Sequence, residues 1–275
     1  MKYVFYWFSI ICAVIFLGGC ASSKWEYEPI TNVEDVNGLK VGVILAWETD
    51  YYLSLRKDID LYRYDTIGDM IIALSYNKID VMAVDDLTWR LMEAKSDGLT
   101  NVEPALGKVG YMIYLAPDCE ELKKEFNEFL KEYKKTDEYE DFLRRKEEFD
   151  GENYIDPDIP LNGKGDVIRV AVDAEAFPRT FDMPGEKTPT GFDVEAIKRF
   201  ANEKNYRLEF TSTNFDDMLV GLFYGEYDIA AGYVCDIYRK DAEFYGLNAS
   251  DSIDESSIYL IQKTKNNISV NMGDI

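Results

Sequence analysis

The sequence contains two copies of one helix-to-strand pattern. Residues 69–80 read DMIIALSYNKID and residues 217–228 read DMLVGLFYGEYD, with a constant offset of 148 residues (69 to 217). In each copy an apolar helical segment ends in a turn and leads into a strand that begins with aspartate. Two such units in one chain predict two similar lobes, each wound on its own sheet. The alternative is a coincidence of two ordinary helix–strand junctions, because only part of each half matches.

Strand-like runs alternate with amphipathic helical patterns along most of the chain. The predicted strands are residues 40–45, 79–85, 111–115, 167–173, 207–211, 228–232 and 258–262. The predicted helices begin near residues 66, 86, 118, 136, 191 and 214. Asp118 and Glu121 have the spacing of a reciprocal capping box. Several strands are nearly continuous in Val, Ile and Ala, so the alternation predicts an α/β fold whose sheets are covered on both faces.

The charge balance excludes several classes of function. The chain has 30 basic and 52 acidic residues, a net charge of −22, and no histidine. A surface this negative repels phosphate backbones, so we expect no nucleic-acid partner. Without histidine there is no Ser-His or Cys-His nucleophile pair and few zinc sites are possible, so we expect no metal and no cofactor.

The first twenty residues have the pattern of a targeting segment. Lys2 precedes an apolar run at residues 3–17, which is shorter than the roughly 20 residues that span a bilayer. This predicts a secretory signal peptide at residues 1–19, with a transmembrane anchor as the alternative. The sequence LGGC (17–20) resembles the bacterial lipoprotein signal, which implies cleavage before Cys20 and lipidation of its thiol. We therefore expect a cell-envelope protein, lipid-anchored to the membrane on its periplasmic or extracellular face.

Two cysteines remain after Cys12 and Cys20 are assigned to the signal and the lipid. Cys119 and Cys235 are far apart in sequence, and an oxidising envelope would permit a bridge between them. Burial as small hydrophobic side chains is the other interpretation.

Two stretches of the chain resemble one known family. Residues 165–263 resemble the N-terminal lobe of bacterial extracellular solute-binding proteins, family 3, the polar amino-acid class. The residues that carry this are 170–173 (VAVD), 177–178 (FP), 191–193 (GFD), 215–216 (FD), 225–228 (GEYD), Gly232 and Arg239. Residues 31–149 resemble the second lobe and closing helices of the same family. Their carriers are 39–43 (LKVGV), 79–81 (IDV), 85–86 (DD), Gly107, Tyr111 and the helices between 118 and 149.

The resemblance implies an α/β, two-lobed, periplasmic-binding-protein-like (type II) fold with the second lobe first in sequence. It divides the chain into a signal peptide (1–19), a tether (20–30), the second lobe (31–107), the return strand and closing helices of the first lobe (108–149), a linker (150–166), the first lobe (167–264) and a tail (265–275). The Gly-, Pro- and Asn-rich composition of residues 150–166 is typical of a linker.

The lobe order is swapped relative to the family. A circular permutation explains this order, and a fragment of a tandem array is the alternative. We expect the lobes to be joined covalently only through about residues 108–115, with residues 258–262 pairing near the 111–115 strand.

The resemblance also implies a ligand site between the lobes. Arg239 is the candidate for binding a ligand carboxylate, because its planar guanidinium can hold a carboxylate bidentately, and Gly232 precedes it by seven residues. Asp85 is the candidate for an ammonium group. The structural alternatives are a surface helix residue for Arg239 and a helix cap for Asp85.

Further candidates lie around these two charges. Phe177 and Phe215 occupy positions of aromatic walls in the family, although core packing would also explain them. Asp173, at a strand end, is a candidate for contact with a distal group of the ligand or for a turn cap.

The chain departs from the family at three candidate positions. Ala46, Trp47 and Glu48 replace the family's Gly-Thr-Thr, so Glu48 would repel a carboxylate while Trp47 could stack on a ligand. Val234 replaces a hydroxyl residue, and Asp236 adds negative charge. These departures indicate either a cationic ligand or a degenerate site.

We therefore expect a monomeric, non-enzymatic protein that captures an amino acid or related small cation by hinge closure. Its partner would be the membrane permease of an ABC transporter. The alternatives are a sensor or scaffold lipoprotein with a degenerate site, and a cyclohexadienyl-dehydratase-like enzyme that uses Glu175 or Glu48 as an acid.

Overall fold

Two five-stranded sheets form the framework of the chain. The computed structural model describes residues 29–264 and 268–270. The predicted signal peptide, Cys20, most of the tether and most of the tail lie outside the described residues. The strands are β1 (Lys40–Ile44), β2 (Asp60–Tyr64), β3 (Val81–Asp85), β4 (Ser96–Asp97), β5 (Leu99–Tyr111), β6 (Tyr114–Leu115), β7 (Val167–Asp173), β8 (Arg207–Thr213), β9 (Ile229–Ala231), β10 (Asn248–Ala249), β11 (Asp254–Lys263) and β12 (Ser269–Val270).

Helices cover these sheets. They are α1 (Glu48–Ser54), α2 (Ile67–Ser75), α3 (Asp86–Lys95), α4 (Glu120–Tyr133), α5 (Asp137–Glu148), α6 (Phe192–Lys204), α7 (Phe215–Phe223) and α8 (Arg239–Phe244). Sheet 1 has the strand order β2-β1-β3-β11-β5, and sheet 2 has the order β10-β6-β9-β7-β8. In each sheet three neighbouring strands are parallel and the next one is antiparallel. The predicted α/β fold with two lobes is therefore confirmed.

The internal repeat corresponds to the same unit in both sheets. Helices α2 and α7 begin and end at positions related by the sequence offset, and each has a side-chain cap, from Thr66 and Asn214 respectively. Asp80 accepts a hydrogen bond from the Lys40 backbone N–H at 2.8 Å, and Asp228 accepts one from Arg169 at 2.7 Å. Each aspartate thus fastens its strand to the neighbouring parallel strand, which confirms the interpretation of two similar units.

The chain crosses between the sheets twice. It passes from β5 to β6 through residues 112–113, and it returns from β10 to β11 through residues 250–253. The expectation of one covalent connection is wrong. Strand β11 belongs to sheet 1, so residues 254–263, which we assigned to the first lobe, pair in the sheet of the second lobe.

The pairing of β11 also differs from the prediction. Ile258 lies opposite Gly107 and Gln262 opposite Thr100, whereas Tyr111 lies opposite Asp254. The sequence prediction missed the first part of β5 because Pro104, Gly107 and Gly110 are unfavourable in strand interiors. Sheet pairing with β11 outweighs these local preferences.

The predicted capping box at Asp118 is wrong. Helix α4 begins at Glu120, and its N-cap residue is Cys119, which forms no side-chain capping bond. Strand β2 and helix α1 were also not predicted, because β2 has a mostly exposed polar pattern and α1 is only seven residues long. Residues 150–166 contain no helix or strand, and Tyr154 in this segment packs its ring against Phe181 and Phe192.

Helices α4, α5 and α6 pack against one face of sheet 2. Their aromatic rings form a continuous core, with Phe126 and Phe200 at 5.1 Å and Phe142 and Phe192 at 5.5 Å between ring centroids. The core of sheet 1 lies on both of its faces. The two sheets therefore have separate hydrophobic cores that meet at the crossing segments.

A buried ion cluster lies where the chain crosses between the sheets. Arg179 forms ion pairs with Asp193 of α6 and with Asp254 at the start of β11, the latter at 2.7 Å. Lys146 of α5 also pairs with Asp254. The Arg179 guanidinium lies 4.2 Å from the ring centroid of Tyr111, the last residue of β5. This crossing cluster, defined by these five residues, joins both sheets.

The two aspartates of the crossing cluster have opposite pKa shifts. Burial raises the pKa of Asp193 to about 6, with Arg179 opposing the shift. Burial acts in the same sense on Asp254, but Arg179 and Lys146 outweigh it and lower its pKa. Asp254 therefore contributes stability that is lost as pH falls through its folded-state pKa.

We expect Arg179→Met to destabilise the protein by about 3–5 kcal/mol, because it leaves two buried carboxylates without their main cation. Urea unfolding at neutral pH measures the change. Arg144→Met is the matched control, since Arg144 pairs only with surface carboxylates and its loss should change stability little. Equal effects of the two substitutions would contradict the role of the cluster.

Candidate functional site

A cavity of about 900 Å³ lies between the two sheets. The segments that follow β1 and β3 of sheet 1 line one side, and those that follow β7 and β9 of sheet 2 line the other. The carboxyl ends of parallel strands are the usual place for ligands in α/β sheets. The position and size of the cavity are typical of a small-molecule site.

The charged residues that line the cavity are all acidic. None of the lining residues within the described part of the chain is a lysine or an arginine. The carboxyl side chains are Glu48, Asp85, Asp173, Glu175 and Asp241. A cavity with this composition attracts cations and repels anions.

Aromatic rings supply much of the remaining wall. They are Trp47, Tyr51, Tyr114, Phe177, Phe215, Tyr233, Tyr238 and Tyr245. The face of an aromatic ring attracts an ammonium or guanidinium group through its quadrupole. The rings and carboxyls together form a lining suited to an organic cation.

Asp85 both caps a helix and lines the cavity. Its Oδ1 accepts the backbone N–H groups of Leu87 at 2.9 Å and Thr88 at 3.1 Å, and its Oδ2 accepts the Thr88 hydroxyl at 2.5 Å. These bonds fix the carboxyl at the end of β3, where it is 8% exposed. The alternative of a helix cap at this position therefore does not exclude contact with a ligand.

Glu48 is the most strongly perturbed carboxyl of the cavity. Burial raises its pKa to about 8, the negative charge of Asp85 adds to the shift, and the Glu48 backbone N–H opposes it. Burial raises the pKa values of Tyr111, Tyr233 and Tyr238, and the negative charge of the nearby Glu48 carboxyl raises them further. Glu48 and Asp85 therefore form a buried acidic pair without a basic partner among the described residues that line the cavity.

The backbone is strained at one residue on each side of the cavity. Ala46 and Tyr233 have positive φ angles of 64° and 50°. The other described non-glycine residues with positive φ are Asn and Asp, which adopt this conformation more easily. Such strain tends to occur at functional sites.

One contact bridges the cavity between helices of different sheets. The Tyr51 hydroxyl of α1 donates a hydrogen bond of 2.6 Å to the Asp241 carboxylate of α8. The rings of Tyr51 and Tyr238 are 4.6 Å apart. These contacts hold the two sides of the cavity together at its exposed edge.

Six of the eight predicted ligand-binding residues line this one cavity. They are Trp47, Glu48, Asp85, Asp173, Phe177 and Phe215. Arg239 does not line it. The Arg239 guanidinium instead donates to the backbone carbonyls of Ala249 at 3.2 Å and Ser250 at 2.6 Å, at the second crossing.

Gly232 also lies outside the lining. It has a φ of +123°, and a Cβ there would lie 2.6 Å from the Thr180 hydroxyl and 2.9 Å from the Asp173 Cβ. Glycine is therefore required for the close approach of two chain segments behind Asp173.

Several lining residues between Gly232 and Leu247 were not predicted from the sequence. The missed tyrosines and acid of this stretch are Tyr233, Tyr238, Asp241 and Tyr245. The signal that could have found them is the density of aromatic side chains in an otherwise polar segment (YVCDIYRKDAEFYG, 233–246).

The cysteines are not bridged. Cys119 and Cys235 are both free thiols, and Cys235 is buried at the edge of the cavity. Burial raises the pKa of both thiols. Across residues 29–264 and 268–270 no cluster of three metal-ligating side chains has the arrangement of a metal site. No helix in that part of the chain has the length and hydropathy of a membrane span.

One family model matches the chain. It is that of the bacterial extracellular solute-binding proteins, family 3, and it matches residues 168–265. This stretch contains the parallel strands of sheet 2, the second crossing segment and strand β11 of sheet 1. The resemblance to this family is therefore confirmed, and circular permutation stays a prediction.

The fold has similar solved structures at low sequence identity. The phosphate-binding protein of a phosphate ABC transporter from Streptococcus pneumoniae TIGR4 is 9% identical, with 84% of this chain and 90% of that chain covered and a TM-score of 0.42. The probable amino-acid ABC transporter extracellular-binding protein YtmK from Bacillus subtilis is 10% identical, with 84% and 85% covered and a TM-score of 0.39. The ancestral amino acid-binding protein AncCDT-1, a precursor of cyclohexadienyl dehydratase, is 12% identical, with 88% and 86% covered and a TM-score of 0.36. A search of curated proteins finds no significant sequence match.

We expect Glu48→Gln to change how the stability of the empty protein depends on pH. Between pH 4.5 and about 8, Glu48 is protonated in the folded protein and ionised in the unfolded chain. The free energy of unfolding therefore falls as pH rises across this window. Glutamine carries no ionisable proton, and the variant should therefore gain on the order of 2 kcal/mol over the wild type between pH 5 and pH 8. Urea unfolding at both pH values measures it, and a constant difference would contradict the prediction.

Proposed function

We propose that this chain, whose residues 168–265 match the bacterial extracellular solute-binding proteins of family 3, captures a small cationic solute between its two sheets. The cationic amino acids and related amines are the class of ligand that we expect. The observation that carries the proposal is the lining of the cavity. Among the described residues that line it are five carboxyls and eight aromatic rings, and none of these residues is basic.

The mechanism that we propose is closure about the two crossing segments. The chain passes between the sheets at residues 112–113 and 250–253, and two adjacent connections of this kind are suited to act as a hinge. A cation bound by carboxyls of both sheets, such as Asp85 and Asp173, would have more partners in the closed state. Such differential binding shifts the population toward closure.

The match of residues 168–265 to this family supports delivery to a membrane permease of an ABC transporter as the purpose of capture. In this proposal the closed form is the one that the permease recognises, and the protein acts as a monomer without enzymatic activity. Cys20 would carry the lipid that keeps the protein at the membrane, on the periplasmic or extracellular face.

A sensor or scaffold lipoprotein is the second candidate. The engagement of Arg239 by backbone carbonyls favours it, because the cation that the family uses for a ligand carboxylate is not available in the cavity. The two candidates differ in whether a small molecule stabilises the folded state.

We expect cationic solutes to raise the melting temperature of the purified full chain in detergent, and glutamate and leucine to leave it unchanged. A ligand at a hundredfold excess over its Kd stabilises a protein by about 2.7 kcal/mol. Small-angle X-ray scattering should show a smaller radius of gyration with a saturating cation, because closure brings the sheets together. An unchanged melting temperature across arginine, lysine, agmatine, cadaverine and choline would support the scaffold instead.

We expect Cys20→Ser to abolish the attachment of fatty acid to the protein in a bacterial host. The substitution removes the thiol to which the lipid would be attached, while the apolar run before it is retained. Labelling with a radioactive fatty acid measures the effect, with Cys12→Ser as the control. Equal labelling of wild type and Cys20→Ser would contradict lipidation at Cys20.

A further inference from the structure

We infer that the ligand is an organic cation without a carboxylate group, held by Glu48 against the aromatic wall of the cavity. This inference rests on the proposed function and narrows its ligand class. It separates amines and guanidines from the α-amino acids that carry the same cationic groups.

Two arginines close in sequence to the cavity segments are engaged elsewhere. Arg239 binds the carbonyls of Ala249 and Ser250. Arg179 is 3% exposed and binds Asp193 and Asp254 in the crossing cluster. Neither guanidinium lines the cavity. A ligand carboxylate would therefore be desolvated without a cation, which costs several kcal/mol in a protein interior.

Backbone amides of the loop after β1 already have acceptors within the protein. The Ala46 N–H donates to the Asp50 carboxylate at 3.1 Å, and the Trp47 N–H donates to the Ile44 carbonyl at 3.3 Å. The Glu48 N–H interacts with the carboxyl of its own side chain. The Ala46 and Trp47 amides are thus occupied by groups of the protein itself, one of which is a carboxylate. A ligand carboxylate would have to displace them.

The buried acidic pair of the cavity, Glu48 and Asp85, favours a cationic ligand group. The Glu48 carboxyl is buried near Asp85 without a basic partner in the lining, so its negative charge is costly and the carboxyl keeps its proton in the empty protein. An ammonium or guanidinium group of the ligand would supply the missing partner. Trp47, adjacent to Glu48, and Tyr51, one turn further along α1, line the same cavity and supply rings for the cation.

The volume of the cavity indicates a ligand with an extended apolar body. A cavity of about 900 Å³ is at the upper end of the range for drug-sized ligands. Phe177 and Phe215 line the side formed by sheet 2, so a chain or ring that leads away from Glu48 would contact their side chains. The ligand class is therefore an amine or guanidine on an alkyl or cyclic body.

Three pairs of compounds that differ by a carboxylate test the inference. They are agmatine and arginine, cadaverine and lysine, and choline and glycine betaine. Where either compound of a pair binds, we expect the compound without a carboxylate to have a Kd at least about tenfold lower than its carboxylate-bearing partner. The reason is that like-charge contacts cost several kcal/mol. Isothermal titration calorimetry on the full chain in detergent measures these values.

The outcomes separate the inference from the proposed function. Equal or tighter binding of the amino-acid member overturns the inference and leaves solute capture intact. Absence of heat and of thermal stabilisation with all six compounds overturns the proposed function, and the inference falls with it.

Substitution of Glu48 tests the anchor. We expect Glu48→Gln to weaken agmatine binding by about tenfold or more while the empty variant keeps its melting temperature or gains stability at pH 8. Glu34→Gln is the matched control, since Glu34 is exposed and lies outside the cavity. Unchanged agmatine affinity in Glu48→Gln, with the wild type binding agmatine, would overturn the role of Glu48.

Discussion

The ion cluster at the crossing of the two sheets is the constraint on which the rest of the structure depends. Arg179 and Lys146 neutralise Asp193 and Asp254 within it, and Tyr111 packs its ring on the Arg179 guanidinium. Buried charges tolerate so little displacement that this cluster specifies how the strands leave and re-enter each sheet. Both crossing segments lie next to it, and so do the end of β5 and the start of β11, which pair with each other in sheet 1.

The same cluster explains the composition of the cavity. A chain with 52 acidic and 30 basic residues cannot pair every carboxylate. The arginines near the crossing serve the cluster and the backbone carbonyls, and unpaired carboxyls remain on the walls between the sheets. Glu48 and Asp85 concentrate this excess in a buried position, where a bound cation would relieve it. In the function that we propose, the general charge imbalance of the chain thus becomes a local preference for cationic solutes.

Local signals predicted much of the fold, and the family resemblance predicted six of the thirteen acidic and aromatic residues that line the cavity. Helix starts at Thr66, Thr136 and Asn214 were predicted because their side chains cap the helix directly, which depends only on neighbouring residues. The long strand β5 was not, because its pairing with β11 spans about 150 residues and outweighs its proline and glycines. Arg239 has the spacing of a ligand-binding residue, but the neighbouring carbonyls of the second crossing bind its guanidinium instead.

The amino-acid sequence by itself determined the two similar α/β units, the excess of acid over base and the absence of histidine, because periodicity and composition are properties of the chain alone. The tertiary structure decided which acids gather around one cavity, which arginines are withdrawn from it, and that β11 returns to sheet 1. These outcomes depend on contacts between residues distant in sequence. A side chain's partner is settled only when both segments have folded against each other.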